Sequence, residues 1–298
     1  MDIKNQKIIS VGEMLWDMLP TGPKPGGAPM NVALQLNNIG LDVQFASRIG
    51  NDEQGLKLKC FLEESGMNTD LIQLDTDLPT SEVLVHLDDK NNAKYEICEP
   101  VAWDHLEYPE QLSTKVKESG IVIFGTLGSR NKKAKQTILN VLDSDCLKII
   151  DVNLRPPFDQ KEDVELLLGK ADIAKLNDEE LIQISGWYGK TSKNEEDLIS
   201  WFSEQYQCSM VCVTKGAKGA VLFTNNQFFK HLGYKVAAVD AVGAGDAFLA
   251  GFLSALLQNK SPEEALNFGS ATGAFVASKE GATPKYDMSE VLRIMNQS

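Results

Sequence analysis

Short β-rich apolar runs alternate with amphipathic helical runs along this chain, and that alternation predicts an α/β fold, a mainly parallel sheet covered by helices on both faces. Three observations carry the prediction. The apolar runs at 7–11, 43–49, 121–124, 147–152, 173–176 and 210–214 are interleaved with helical patterns, among them 30–39, 55–64, 133–142, 164–168 and 195–206. Helix punctuation agrees with these bounds: Gly40 and Gly66 each follow an amphipathic run where a left-handed C-terminal residue belongs. Ser261-Pro262-Glu263-Glu264 likewise combines a capping box with a proline in the first helical turn. Third, polar clusters follow one strand end after another, which is what a shared cleft requires.

One stretch breaks the alternation. Within 81–98, Val83, Val85 and Leu87 alternate with polar residues, 88–92 supplies turn chemistry, and Tyr95 and Ile97 resume the pattern. That predicts a hairpin with one apolar and one wet face, either a lid over a cleft or an edge decoration. As a lid it pairs with the run 14–19 and its Pro- and Gly-rich continuation 20–27, so the lid comprises about 12–27 and 81–104 on a single domain spanning 1–298. No internal repeat or low-complexity segment divides the chain.

Composition narrows the function. At 43% hydrophobic residues over 298 positions the chain can bury a substantial core. Its formal charge of -13 repels polyphosphate backbones and argues against a nucleic-acid partner. Lys132, Lys133 and Lys135 read as a solvated helix face. Five scattered cysteines, Cys60, Cys98, Cys146, Cys208 and Cys212, fit reduced thiols, and Cys208 to Cys212 lacks the second pair of a zinc site. The charged stretch 1–7 lacks the apolar core of a secretion signal, and no segment reaches the roughly 20 apolar residues of a membrane span. A soluble, cytoplasmic protein without a membrane partner is the expectation. His86, His105 and His231 are isolated, so a histidine base or a metal cluster is disfavoured.

The sharpest chemical signal is Asp240-Ala241-Val242-Gly243-Ala244-Gly245-Asp246-Ala247-Phe248, a glycine turn leading into an apolar helical segment at 248–257. Glycines let successive N–H groups converge on one point, and a helix N-terminus attracts phosphate. Asp246 stands where it could take a proton from a hydroxyl attacking that phosphate. The competing reading is an ordinary strand-to-helix turn with a carboxylate favoured by the helix dipole.

Other strand ends add candidates, each with a plainer alternative. Gly26-Gly27-Ala28-Pro29-Met30-Asn31 places small residues before a helix and Asn31 one turn inside it, as a contact to a sugar hydroxyl or a local helix-start bond. Asp17 faces away from its apolar neighbours Trp16 and Met18, either solvated or accepting from two adjacent hydroxyls. Asn153 and Arg155 fall beyond the strand 147–152, where open α/β sheets bind ligands. Asn177-x-x-Glu180 offers hard oxygens for water-mediated Mg2+, or simply a capping box. After Thr214, Gly216 leaves room for a nucleotide. The P-loop and the G-x-G-x-x-G fingerprint are both absent, which weighs against a P-loop kinase and a nicotinamide dehydrogenase.

With these motifs the chain resembles the ribokinase-like (PfkB-type) carbohydrate kinases, and among them the fructokinases. The resemblance runs nearly end to end: Gly12-Glu13 with Asp17, Gly26 to Ala33, Arg48-Ile49-Gly50-Asn51-Asp52 with Gly55, Asp151 to Arg155, Asn177-x-x-Glu180, and Gly243-Ala244-Gly245-Asp246. It implies a three-layer ribokinase-like α/β/α fold with a small β-sheet lid, and an ATP-dependent kinase acting on a neutral sugar, above all fructose. In that reading Asp246 is the base, Gly243, Ala244 and Gly245 form the anion hole, and Arg155 touches substrate or phosphate. Sugar contacts fall on Asp17, Gly26, Gly27, Asn31, Tyr95, Ile97, Trp103 and Asn153. Asn177, Thr214, Gly216, Gly219 and Asn267 line the nucleotide pocket, Glu180 holds Mg2+ through water, and Asp240 with Gly281 marks a K+ seat. The chain departs from the family pattern at Ala241 and Val242, where threonines are common, and in its lid, where Glu99 replaces a basic group and disfavours a phosphorylated sugar. Ribose, 2-keto-3-deoxygluconate or a nucleoside is the alternative substrate, a noncatalytic sugar or nucleotide sensor the alternative class. Lid strands offer a surface for a homodimer.

Overall fold

Four consecutive buried residues, Ile8–Val11, form β1, and burial on both faces is what a central parallel strand demands. This computed structural model describes residues 6–19, 22–87 and 93–297, leaving aside the side chains of 85–87 and 93–95. After β1 come β2 (Leu15–Leu19), β3 (Gly22–Gly26), α1 (Ala28–Asn38), β4 (Val43–Gly50), α2 (Glu53–Glu64), β5 (Ile72–Asp75), β6 (Ser81–Leu87) and β7 (Ala93–Ile97). Next are α3 (Glu110–Glu118), β8 (Ile121–Gly125), α4 (Lys132–Leu142), β9 (Leu147–Asp151), α5 (Lys161–Leu168), β10 (Ile173–Asn177), α6 (Asp178–Gly186) and α7 (Glu195–Tyr206). The chain closes with β11 (Met210–Thr214), β12 (Ala220–Thr224), β13 (Gln227–His231), α8 (Ala244–Leu257), α9 (Pro262–Ala277) and α10 (Met288–Met295).

The large sheet has the order β13-β12-β11-β10-β9-β8-β1-β4-β5. Every pairing from β5 to β11 is parallel, and only the β11–β12–β13 edge is antiparallel. One apolar cluster takes Ile9 and Val11 with the strand and helix residues of one face, and a second takes Ile8 with α1 and α8 on the other. The mainly parallel, doubly covered sheet expected from the sequence is therefore present. Its antiparallel edge is not in that reading. Asn225 and Asn226, both with positive φ, make the two-residue turn between β12 and β13, and an Asn-Asn pair between alternating runs is the signal that marks it.

The expected hairpin forms as β6 and β7, with Val83 opposite Ile97. β2 runs parallel to β6 and antiparallel to β3, so a separate sheet of order β3-β2-β6-β7 stands beside the main one. The turn residues 88–92 lie outside the described residues. Beyond β7 the lid segment ends sooner than expected, because Ala102–His105 forms a 3-10 helix set into the body. There Arg130, sandwiched between Trp103 and Phe158, pairs with Asp104 at 2.8 Å through two nitrogens and donates to the Cys98 carbonyl at 2.7 Å. That buried, bidentate arrangement anchors the lid's root to the loop after β8.

Helices α8 and α9 pack closely because glycines face them. A Cβ at Gly269 would lie 2.9 Å from the Phe248 carbonyl, and one at Gly273 would lie 3.0 Å from that of Ala244. Gly269→Val is therefore expected to push α9 off the helix that carries the glycine turn and to cost about 1–3 kcal/mol. A fall in the urea midpoint with unchanged slope would show it; an unchanged midpoint would contradict the packing.

Candidate active site

The carboxyl ends of β1, β8, β9, β10 and β11 open onto one edge of the sheet, and the chain leaves β1 for β4 on one side and β8 on the other. A crevice at such a switch point is where open α/β sheets bind ligands. Asp246 sits over it in the first turn of α8, 8% exposed. Gly243 is the N-cap, with φ of 75°, and a Cβ there would fall 2.5 Å from the Ala282 backbone, so only glycine fits. Gly245 is less constrained: its Cβ would stand 3.1 Å from the Lys175 ammonium, the movable end of a long side chain. The first N–H groups of a helix have no intrahelical acceptor, so this glycine turn presents donors, with a buried cation beside them, to an anion.

Two long-range contacts shape the surroundings of Asp246. Asn31 of α1 donates through Nδ2 to Asp246 Oδ2 at 2.8 Å. Lys175, in the middle of β10, pairs with both oxygens of Asp151 at 2.9 and 3.0 Å, and both side chains are buried. Burial works against the Lys175 ammonium, but Asp151, with Asp246 and Glu180 beyond it, outweighs that and raises its pKa. Burial and the nearby Asp151 charge push Asp246 up to about 6, against the opposing pull of Lys175, Asn31 and Arg155. A carboxylate poised near the working pH is suited to proton removal.

Asp17 turns away from Trp16 and Met18, which pack on the core, and lies over Gly26, where any Cβ would collide with its carboxylate. Burial raises its pKa while Arg155 lowers it. Gly27, with φ of 113°, brings the start of α1 against the Glu13 carbonyl. Asn153 adopts a left-handed conformation and lines a cavity with Glu13 and Asp151. Arg155 is exposed and donates to the Leu154 carbonyl, yet its charge reaches Glu13, Asp17 and Asp246. The Tyr95 side chain lies outside the described residues. Trp103 needs correction as a sugar contact: it is 1% exposed, stacked under Arg130 and packed with Val101 and Leu127, and so has no surface to offer. Ile97 leans on that same cluster.

On the nucleotide side the capping box is what forms. Asn177 accepts from the Glu180 N–H, while Glu180 takes the N–H groups of Asn177 and Leu154, one on each oxygen, at 2.8 Å. Glu180 is buried, and each of its oxygens accepts one backbone N–H while keeping a second lone pair. Gly216 has open space where a Cβ would be, as a nucleotide wall requires, whereas Gly219 abuts the backbone of Gly233 and serves the turn before β12. Thr214 closes β11 near them. Asn267 is engaged by the Tyr234 hydroxyl through Oδ1 and by His231. Asp240 accepts from Val242 N at 3.0 Å and Gly281 N at 3.2 Å, so the two proposed K+ residues do meet, through a bond that occupies the carboxylate.

Sequence reasoning passed over Lys175 and the partner role of Asp151, although a lone lysine inside the apolar run Ile173-Ala174-Lys175-Leu176 is a signal, since a buried ammonium requires a counter-charge. It also passed over Gln35, one turn beyond Asn31, which is fully buried and donates to the Ala282 carbonyl behind Gly243. Among the described residues no group of three or more His, Cys, Asp or Glu side chains is placed to hold a metal ion. No described helix is long and apolar enough to cross a membrane.

Comparison with known proteins agrees with this geometry. The model of the pfkB family of carbohydrate kinases matches residues 21–288. A fructokinase from Salmonella typhimurium is 29% identical over 300 residues, covering 93% of this chain and 95% of its own length. A probable fructokinase-4 from Arabidopsis thaliana is 28% identical, covering 93% and 92%. Among solved structures, the fructokinase from Xylella fastidiosa with bound ATP superposes with a TM-score of 0.85 at 23% identity, over 98% of this chain and 99% of that one.

Two pH effects follow from these carboxyls. Turnover per encounter, kcat/KM, is expected to fall about tenfold per unit below about pH 6, where Asp246 becomes protonated; a flat acid limb to pH 5 would contradict its role. Burial pushes Glu13 up to about 7 from its ordinary 4.5, so the fold favours its neutral form and loses stability as pH rises through that interval. Glu13→Gln is therefore expected to melt higher than the parent at pH 8, with a smaller gain at pH 5.5. An equal difference at both pH values would refute the burial argument.

Proposed function

Given that the chain belongs to the pfkB family of carbohydrate kinases, we propose that it transfers the ATP γ-phosphate to a primary hydroxyl of fructose, O6 or O1. The observation that carries this reading is the buried Asp246 standing over the Gly243 to Gly245 turn, held by Asn31 and flanked by Lys175. Fructose is favoured over ribose, 2-keto-3-deoxygluconate or a nucleoside because the curated relatives matched over nearly their full length are fructokinases.

In the step itself Asp246 removes the proton from the sugar hydroxyl as its oxygen bonds to the γ-phosphorus. The bond from that phosphorus to the β–γ bridging oxygen breaks, and ADP departs with the electron pair. The free N–H groups at the start of α8 and the Lys175 ammonium meet the developing negative charge. Arg155, free to swing from its exposed position, joins either phosphate or sugar. Asp17, Gly26, Gly27, Asn31 and Asn153 form the sugar wall; Asn177, Thr214, Gly216 and Asn267 lie toward the nucleotide. Glu180, each of whose oxygens keeps a lone pair beside its backbone N–H, would hold Mg2+ through water, and the ion would supply charge neutralisation. A K+ seat, if used, is made of backbone oxygens near Asp240 and Gly281. The lid sheet closes over the sugar and excludes water.

The edges of the lid sheet suggest how two copies would meet. β3 carries Pro23 and Pro25, which lack N–H donors and blunt that edge, so β7 is the strand open to pairing in a homodimer. We place the enzyme in the cytoplasm, where ATP and free thiols coexist.

ATP consumption measured across fructose, ribose, 2-keto-3-deoxygluconate and a nucleoside, with and without K+, tests the proposal. Fructose should give the highest kcat/KM; turnover confined to another sugar would move the assignment, and none at all would defeat it. Asp246→Asn is expected to keep sugar binding by calorimetry while losing about 10²- to 10⁴-fold in kcat. Near-normal turnover in that variant would remove Asp246 from the base role.

A further inference from the structure

Glu13 lies in the link between β1 and β2, 2% exposed, and its Oε2 has no hydrogen-bond partner. An unsatisfied buried carboxylate oxygen is costly, and native folds keep one only where something outside the chain completes it. The surrounding backbone is shaped to place it. A Cβ at Gly27 would come 2.6 Å from the Glu13 carbonyl, and one at Gly128, in the loop after β8, would come 3.3 Å from Oε2. Two loops thus close on this residue through glycines, one against its carbonyl and one against its carboxylate.

Glu13 borders a cavity of about 10 Å3 together with Ala28, Pro29, Thr126, Asp151 and Asn153. That is room for about one oxygen atom with its hydrogen, a water or a hydroxyl. The cavity is continuous with the acceptor wall through Asn153 and the start of α1. Glu13 also shares the Arg155 charge with Asp17 and Asp246. None of these three carboxylates forms an ion pair with Arg155, so they offer mainly acceptors, and the ligand that satisfies acceptors without a metal is a polyol.

We propose that Glu13 is a specificity-determining residue whose Oε2 accepts a hydrogen bond from one non-reacting hydroxyl of the sugar. This rests on the kinase reading above. It deepens that reading by assigning a third carboxylate to the acceptor, behind Asp17 and separate from the base. A sugar lacking that hydroxyl leaves the carboxylate unsatisfied, and sites built to bond a hydroxyl discriminate strongly against analogues without it.

The test is a coupling experiment. Wild type, Glu13→Gln and Glu13→Ala are assayed with fructose and its single-deoxy analogues, and the same sugars are titrated by calorimetry. At pH 8, where Glu13 is ionised, loss of a hydrogen bond to a charged group predicts that Glu13→Gln lowers kcat/KM for fructose about 10- to 100-fold. One deoxy analogue should be poor with wild type and suffer no further loss with the variant, while the other analogues keep the full effect. If both variants lower every sugar by the same factor, the cavity holds a water and the proposal is overturned; unchanged discrimination overturns it equally. A Glu13→Gln melting temperature at pH 8 no lower than the parent's shows that the variant folds. Wild type that phosphorylates no sugar would defeat the kinase reading instead, and the calorimetric ratios would still decide the Glu13 contact.

Discussion

A carboxylate taken out of water at the first turn of a helix is the constraint on which the rest of the site depends. Asp246 is buried, and burial alone would protonate it. It remains usable because Asn31 donates to it, because the helix start favours negative charge, and because the Lys175 ammonium lies nearby. Lys175 is itself tolerable there only because Asp151 neutralises it. The base, its amide partner and the buried ion pair therefore form one electrostatic unit, drawn from α8, α1, β10 and β9.

Close backbone approach is the means by which that unit is assembled. Gly243 admits Ala282 and Gly27 admits the Glu13 carbonyl, each at a separation that a Cβ would prevent. Behind the glycine turn, Gln35 holds the Ala282 carbonyl at 3.1 Å, so one face of α1 braces both the base and the turn beneath it. Remote from the chemistry, Arg130 performs a comparable task for the lid: paired with Asp104 and clasped by two aromatic rings, it fixes the root from which the small sheet extends.

Much of the fold was legible because its signals are local. The period of apolar residues marked the parallel strands, and glycines at 40 and 66 marked helix ends, where the structure shows positive φ. The edge hairpin β12–β13 was missed although Asn225 and Asn226 announce it, because attention to the parallel alternation outweighed a two-residue turn. Trp103 was misread for a different reason. Its sequence neighbours belong to the lid, yet its ring is buried beneath Arg130, a residue whose proximity no local pattern discloses. Glu180 shows the reverse: the local capping-box pattern formed, and the tertiary structure added a second backbone bond, from Leu154, to its other oxygen.

By itself the sequence determined the α/β class, the glycine turn and the presence of a carboxylate at the start of α8, since backbone period and turn chemistry depend on neighbours along the chain. Only the tertiary structure decided what that carboxylate meets. Asn31 and Asp246 are 215 positions apart, and Lys175 reaches Asp151 across adjacent strands. Strand order, set by the packing of the whole sheet, brings these groups together, and with them the pKa values and unsatisfied oxygens from which chemistry is read.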